Sequence, residues 1–217
     1  RNLLYKADIE TLEAVEESYN EILKDKNRVY IAGKMLEGAD PASFEIIIGR
    51  YYKDKKNIYV GRDKIDNADI RTFEVIDGIY SWDKNRVYFD GMEIPDVDRE
   101  SFETIGDSYS KDKNNIYYKK EIIKNADIGS FMLILPENLY GEYAKDKNRV
   151  YYSGRELEGV DPESFQWVNS VINKDKKNVY YSEKIVKEAD PETFQEIEGT
   201  SFYKDKNRAY YGAYGIE

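Results

Sequence analysis

The stretch Lys145-Asp146-Lys147-Asn148-Arg149-Val150-Tyr151-Tyr152 decides the fold, because it returns in phase along the chain. Its aspartate recurs as Asp25, Asp54, Asp83, Asp112, Asp146, Asp175 and Asp205. The steps are 29 residues, except 34 between Asp112 and Asp146 and 30 between Asp175 and Asp205. Five residues after each Asp stands a tyrosine: Tyr30, Tyr59, Tyr88, Tyr117, Tyr151, Tyr180 and Tyr210. Asp-Lys-Asn-Arg between apolar segments reads as a hairpin turn. Asp accepts backbone N–H groups just downstream, and Asn tolerates the left-handed backbone of a tight turn. The β-branched and aromatic residues that follow read as a strand.

The rest of the unit is equally periodic. An aliphatic residue recurs at Leu36, Ile65, Ile94, Ile123, Leu157 and Val186. A second aspartate follows at Asp40, Asp69, Asp98, Asp127, Asp161 and Asp190. Four residues on is always phenylalanine: Phe44, Phe73, Phe102, Phe131, Phe165 and Phe194. Asp8, Leu12 and Val15 look like half of an earlier unit. Gly33, Gly61, Gly91 and Gly154 mark a second turn, which puts the aliphatic on a third short strand. Ala-Asp-Pro-Glu-Thr-Phe at 189–194 has an N-cap residue followed by Pro at the first helical position. With Gly49, Gly78 and Gly199 as stops, this predicts a helix of about two turns. A strand over 44–48 is the rival reading.

One such unit buries about four to six apolar side chains, at ~1.5–3 kcal/mol each. That cannot offset the ordering of its backbone, so units must stack on neighbours. The expected fold is a β-rich α+β tandem repeat over residues 1–217. It is a solenoid of about seven hairpin-plus-short-helix units of about 29 residues, partial at both ends. A closed, propeller-like ring is the alternative. The longest step carries an extra region, Leu135–Tyr140, read as a bulge or as a loop added for binding.

Composition narrows the function. The chain has 217 residues, 41% apolar and 35% charged, with 21 Tyr against 8 Phe and 2 Trp. Its net charge is −10, which repels phosphate backbones and anionic membranes and argues against nucleic acid as partner. There is no cysteine, hence no disulfide or thiolate metal site. There is no histidine, the commonest general base and transition-metal ligand. No apolar run reaches the ~18 residues of a membrane span, so no direct membrane insertion is expected of this segment.

Four features bear on chemistry. The seven tyrosines from Tyr30 to Tyr210 form a ladder, which as an open column would bind sugar rings or a peptide. The favoured reading makes them core, and the register decides. A four-residue turn pairs Ile22, Tyr51, Tyr80, Tyr109, Tyr143, Ile172 and Phe202 with the position after the ladder. A three-residue turn pairs them with the ladder itself. Second, Asp25/Asn27 and Asp146/Asn148 open a calcium-loop pattern, but Lys56 and Lys177 break it in other copies. The turn reading is favoured, and no metal or cofactor is expected. Third, paired carboxylates are the main catalytic route left to a chain without His or Cys. Every repeated aspartate already has a role as turn or cap, so no catalytic residue is assigned. Fourth, Lys24, Lys53, Lys111, Lys145, Lys174 and Lys204 precede the turn aspartates and read as charges guarding a sheet edge.

The motif at 145–152, its relatives at 53–60, 111–118, 174–181 and 204–211, and Gly-Val-Asp-Pro-Glu-Ser-Phe at 159–165 resemble the DKNYY repeat family of bacteria. The resemblance runs from about Ala7 onward. It implies a bacterial protein, often exported or lipid-anchored, with no assigned activity and no catalytic residues to carry over. The second tyrosine of the motif is replaced by Ile31, Val60 and Phe89 in the early copies.

The expected function is therefore a non-catalytic scaffold that binds a protein or glycan at a bacterial envelope, in the periplasm or outside the cell, with the cytoplasm as the alternative location. It is expected to act as a monomer or weak oligomer. An acidic inhibitor or immunity-type protein that neutralises a basic partner is the second reading. A carboxylate-dependent glycan-active enzyme is the third. Stacking makes a prediction: Phe102→Ala should cost on the order of 3–5 kcal/mol of global stability. An unchanged unfolding midpoint in denaturant would refute it.

Overall fold

Each Asp-Lys turn closes a hairpin with four residues between its strands. The Asp25 N–H donates to the Arg28 carbonyl at 2.9 Å, and the last strand pair is Lys24 with Val29. Ile22 then pairs with Ile31, and Tyr51, Tyr80, Tyr109, Tyr143, Ile172 and Phe202 likewise pair with the residue after the ladder. The register is that of the four-residue turn. In this computed structural model the described residues are 4, 6–15, 22–106, 108–134, 143–169, 171–212 and 214–216. The Leu135–Tyr140 insertion lies outside them.

Every hairpin gains a strand on each side. The second sheet shows the plan: Glu45–Ile48, Tyr51–Lys53, Ile58–Val60 and Asp63–Ile65, antiparallel and in chain order. Seven such four-stranded meanders are present among the described residues. Their first strands begin at Glu13, Glu45, Glu74, Glu103, Met132, Gln166 and Gln195. The turn into the fourth strand is a two-residue loop with positive φ, as at Ser153 (48°) and Gly154 (77°). This backbone matches the right-handed twist of the flanking strands. The chain forms two compact units, Arg1–Glu100 and Ser101–Glu217, and the repeat runs through each.

The predicted short helix is corrected. Residues 45–48 form the first strand of the next sheet, as the rival reading had it. The Asp-Pro segment before them makes a single turn, closed by the Ser43 N–H on the Asp40 carbonyl at 3.2 Å. The only helical element among the described residues is the 3-10 turn Arg99–Ser101. The reason is competition for backbone groups: sheet pairing of Glu45 with Lys53 claims those that a second helical turn would need. Gly49, Gly78 and Gly199 accordingly sit between the first and second strands and stop no helix. The unit is a β-meander, not a hairpin plus helix.

Side chains alternate between the two faces of each sheet, and within each unit the faces stack. Ile22, Val29, Ile31 and Leu36 of the first sheet pack with Phe44 against Tyr52 and Tyr59 of the second. Ile172, Val179 and Val186 pack with Phe194 against Tyr203 and Tyr210 in the same manner. The repeated phenylalanine is the wedge between sheets. Phe73 lies 6.1 Å from Tyr51 and 6.0 Å from Tyr88, and Phe131 lies 5.7 Å from Tyr109 and 5.6 Å from Tyr151. Phe44, Phe102, Phe165 and Phe194 are buried, and Phe73 and Phe131 are half-buried.

Close stacking also fixes one glycine. A Cβ on Gly154 would stand 2.4 Å from the Cβ of Tyr118 in the preceding sheet. Gly33 has the same backbone but nothing within 4 Å of its Cβ position. Gly33→Ala should therefore cost only the left-handed strain, roughly 1–2 kcal/mol. Gly154→Ala should cost a further 1–3 kcal/mol or so for overpacking. Equal losses in chemical denaturation would contradict this stacking.

Candidate functional site

The residues that recur most strictly meet at one kind of junction. At Asp146, one carboxylate oxygen accepts the backbone N–H groups of Asn148 (2.7 Å) and Arg149 (2.8 Å), which shapes the turn. The other accepts the hydroxyl of Tyr151 (2.7 Å) and the backbone N–H of Asp127 (2.8 Å). Asp127 belongs to the preceding repeat. The buried carboxylate thus receives four donors, three from its own hairpin and one from the unit before. The same four donors meet Asp25, Asp54, Asp83, Asp175 and Asp205. Asp112 holds its own turn and Tyr117 with the matching three.

A second layer surrounds this hub. Asp127 accepts the Ser130 hydroxyl at 2.6 Å and pairs with the Lys147 ammonium at 2.7 Å. Ser130 Oγ in turn accepts the Lys147 N–H at 3.0 Å. The Arg149 guanidinium donates to the carbonyl of Asn125 at 2.9 Å, as Arg28 and Arg86 do to Lys6 and Asn67. Each of these carbonyl-bearing residues has positive φ. Asp40, Asp69, Asp127, Asp161 and Asp190 therefore cap one turn and hold the next repeat, instead of capping a helix. The serine or threonine three residues on (Thr11, Ser43, Thr72, Ser101, Ser130, Ser164, Thr193) was given no role by the sequence. Its signal was recurrence just before each phenylalanine.

The tyrosine ladder is interior. Tyr30, Tyr59, Tyr88, Tyr117, Tyr151, Tyr180 and Tyr210 are all at most 3% exposed. Their hydroxyls face their own turn aspartates, so no ring of the ladder is open to stack on a ligand. The lysine strip is corrected too. Lys24, Lys53 and Lys111 lie on the second strand, inside the sheet, and pair with Glu13, Glu45 and Glu103 of the first. Lys145 and Lys174 instead donate to the carbonyls of Pro162 and Pro191. Among the described residues no group of three or more Asp or Glu is placed to hold a metal ion, and no helix is long and apolar enough to cross a membrane.

Electrostatics follow the geometry. Burial pushes the turn carboxyls up, but the donated hydrogen bonds outweigh it. Asp25, Asp54, Asp83, Asp146 and Asp175 therefore lie below the usual 3.8, and Asp205 falls to about 2. Burial first, and then the bonded carboxylate, raise Tyr30, Tyr59, Tyr88, Tyr151 and Tyr210 above 10.0, and Tyr180 to about 12.

The fold and its junctions define a tandem-repeat protein of stacked four-stranded meanders joined through buried aspartates. The family model for the DKNYY family matches residues 1–60, 51–165 and 93–214, and the chain belongs to that family. No curated protein and no solved structure matches it significantly.

Two predictions follow from the junction. Asp146→Asn puts an amide among four donors and should cost at least ~3 kcal/mol, whereas Tyr151→Phe removes one charge-assisted bond and should cost ~1.5–3. The reverse order in urea unfolding would contradict the hub. The pH dependence has a fixed sign. The folded carboxyls bind protons more weakly than unfolded ones, so their stabilisation is full above pH 3.8 and drains as pH falls below it, towards about 2 at Asp205. The folded tyrosines hold protons more tightly, so theirs is full below pH 10.0 and drains as pH rises past it. Unfolding midpoints should be flat between about pH 5 and 9. A loss within that window would contradict these assignments.

Proposed function

We propose that this chain is a non-catalytic repeat scaffold that binds a protein or glycan partner at a bacterial envelope or surface. One observation supports it most: the junction is constant from repeat to repeat while the rim is not. The fourth strand places Met35, Lys64, Glu93, Ile122, Glu156 and Ile185 opposite successive ladder tyrosines. All are exposed except the half-buried Ile122, and they differ in size, charge and hydropathy. A constant interior carrying a varied exterior suits recognition, since each repeat offers its own contact without disturbing the stack. The repeated aspartates, the residues a carboxylate enzyme would draw on, are saturated by hydrogen bonds. The lowered pKa values of Asp25, Asp54, Asp83, Asp146, Asp175 and Asp205 disfavour the protonated form that a general acid requires.

The test is capture of ligands from an isolated bacterial envelope fraction and a polysaccharide panel. Native protein should retain a ligand intact. The triple change Met35→Ser, Lys64→Ser and Ile185→Ser should weaken capture without lowering the unfolding midpoint. Release of reducing sugar, or no capture at all, would count against the scaffold.

A further inference from the structure

The last two sheets border an open cleft that the repeat pattern does not explain. The loop between Gln195–Glu196 and Phe202–Lys204 belongs to the 30-residue step and is one residue longer than that of a 29-residue unit. Beside it opens a cavity of about 450 Å3, lined by Asn169, Tyr181, Glu196, Thr200, Ser201 and Tyr203 among others. That size lies within the range of small-molecule sites, about 300–1,000 Å3.

The lining is built, not incidental. Asn169 Nδ2 donates both to Glu196 Oε2 at 3.0 Å and to the Tyr203 hydroxyl at 3.2 Å. Asn169 Oδ1 accepts the backbone N–H groups of Val171 (3.1 Å) and Ile172 (2.8 Å), which holds the amide in orientation. On the other wall the half-buried Tyr181 ring lies 3.5 Å from the Cβ position of Gly212, an ordinary packing distance. The Tyr203 ring is pinned by stacking on Phe194, with centroids 5.5 Å apart and planes 14° from parallel. The site therefore combines one aromatic wall, Tyr181, with hydroxyls and one carboxylate that the Asn169 amide holds in place.

We propose that this cavity binds a neutral saccharide. The chemistry matches part by part. The Tyr181 face takes the C–H face of a pyranose, and the second carboxylate oxygen of Glu196 with the Tyr203 hydroxyl, both held in place by the Asn169 amide, spans two neighbouring hydroxyls. Thr200 and Ser201 add further hydroxyl contacts at an exposed edge. The Glu196 carboxylate and a net charge of −10 disfavour anionic sugars. The proposal rests on the scaffold reading and narrows it to one ligand class at one junction.

Saturation-transfer NMR on the whole chain tests it, with the methyl glycosides of glucose, galactose, mannose and N-acetylglucosamine as probes. Native protein should transfer magnetisation to at least one. Glu196→Gln and Tyr181→Ala should each weaken that affinity at least tenfold. Glu196 is exposed, so its variant should keep the native unfolding midpoint and serve as the folded control. Binding of equal strength in Glu196→Gln and native protein would overturn the site while leaving a glycan-binding scaffold elsewhere on the chain. No transfer to any probe would overturn the saccharide assignment, and the scaffold reading would then rest on protein capture.

Discussion

A buried carboxylate needs donors, and this fold is organised to supply them. Stripped of water and left unpaired, an ionised aspartate in a core is prohibitively costly. Surrounded by oriented N–H and O–H groups it becomes a rigid vertex. In this chain the vertex recurs from repeat to repeat, and at Asp25, Asp54, Asp83, Asp146, Asp175 and Asp205 one of its donors comes from the repeat before. The turn, the direction of the ladder tyrosine and the docking of consecutive meanders therefore depend on the same few ångströms.

That constraint explains which spacings vary. The distance from turn aspartate to ladder tyrosine is five residues in each hub, because both groups share one hairpin. From the preceding Asp N–H to the turn aspartate it is 14 residues at Asp40–Asp54 and Asp161–Asp175, but 19 at Asp127–Asp146 and 15 at Asp190–Asp205. Extra residues enter only where the chain runs between first and second strands, outside the hub. A loop there lengthens at small entropic cost and leaves the junction intact. The site proposed for a saccharide lies at one of these lengthened loops, where the repeat is free to diverge.

Much of this was legible in the sequence. The period, the Asp-Lys turn and the strand carrying Tyr151 follow from spacing and turn chemistry. The burial of the ladder was the favoured reading, but register does not decide it: the four-residue turn sets Ala144, not Tyr143, opposite Tyr151, and the inner strands are buried on both faces. The helix was misread because Asp-Pro-Glu-Ser is a helix start by local propensity. What overrode it was long-range pairing, such as Gln166 with Lys174, which propensity does not see. The role of Ser130 was hidden for the same reason, since its partner Lys147 lies 17 residues away. The cleft around Asn169 was illegible because it arises from residues that do not repeat.

Hydrogen–deuterium exchange of native protein and Asp146→Asn, at a denaturant concentration where both stay folded, tests the linkage between repeats most directly. The account predicts that protection falls in two places at once: in the turn and strand at 146–152, and in the preceding segment at 127–130. Loss confined to 146–152, with 127–130 as protected as in the native chain, would show that the aspartate shapes its own hairpin and does not hold the repeats together.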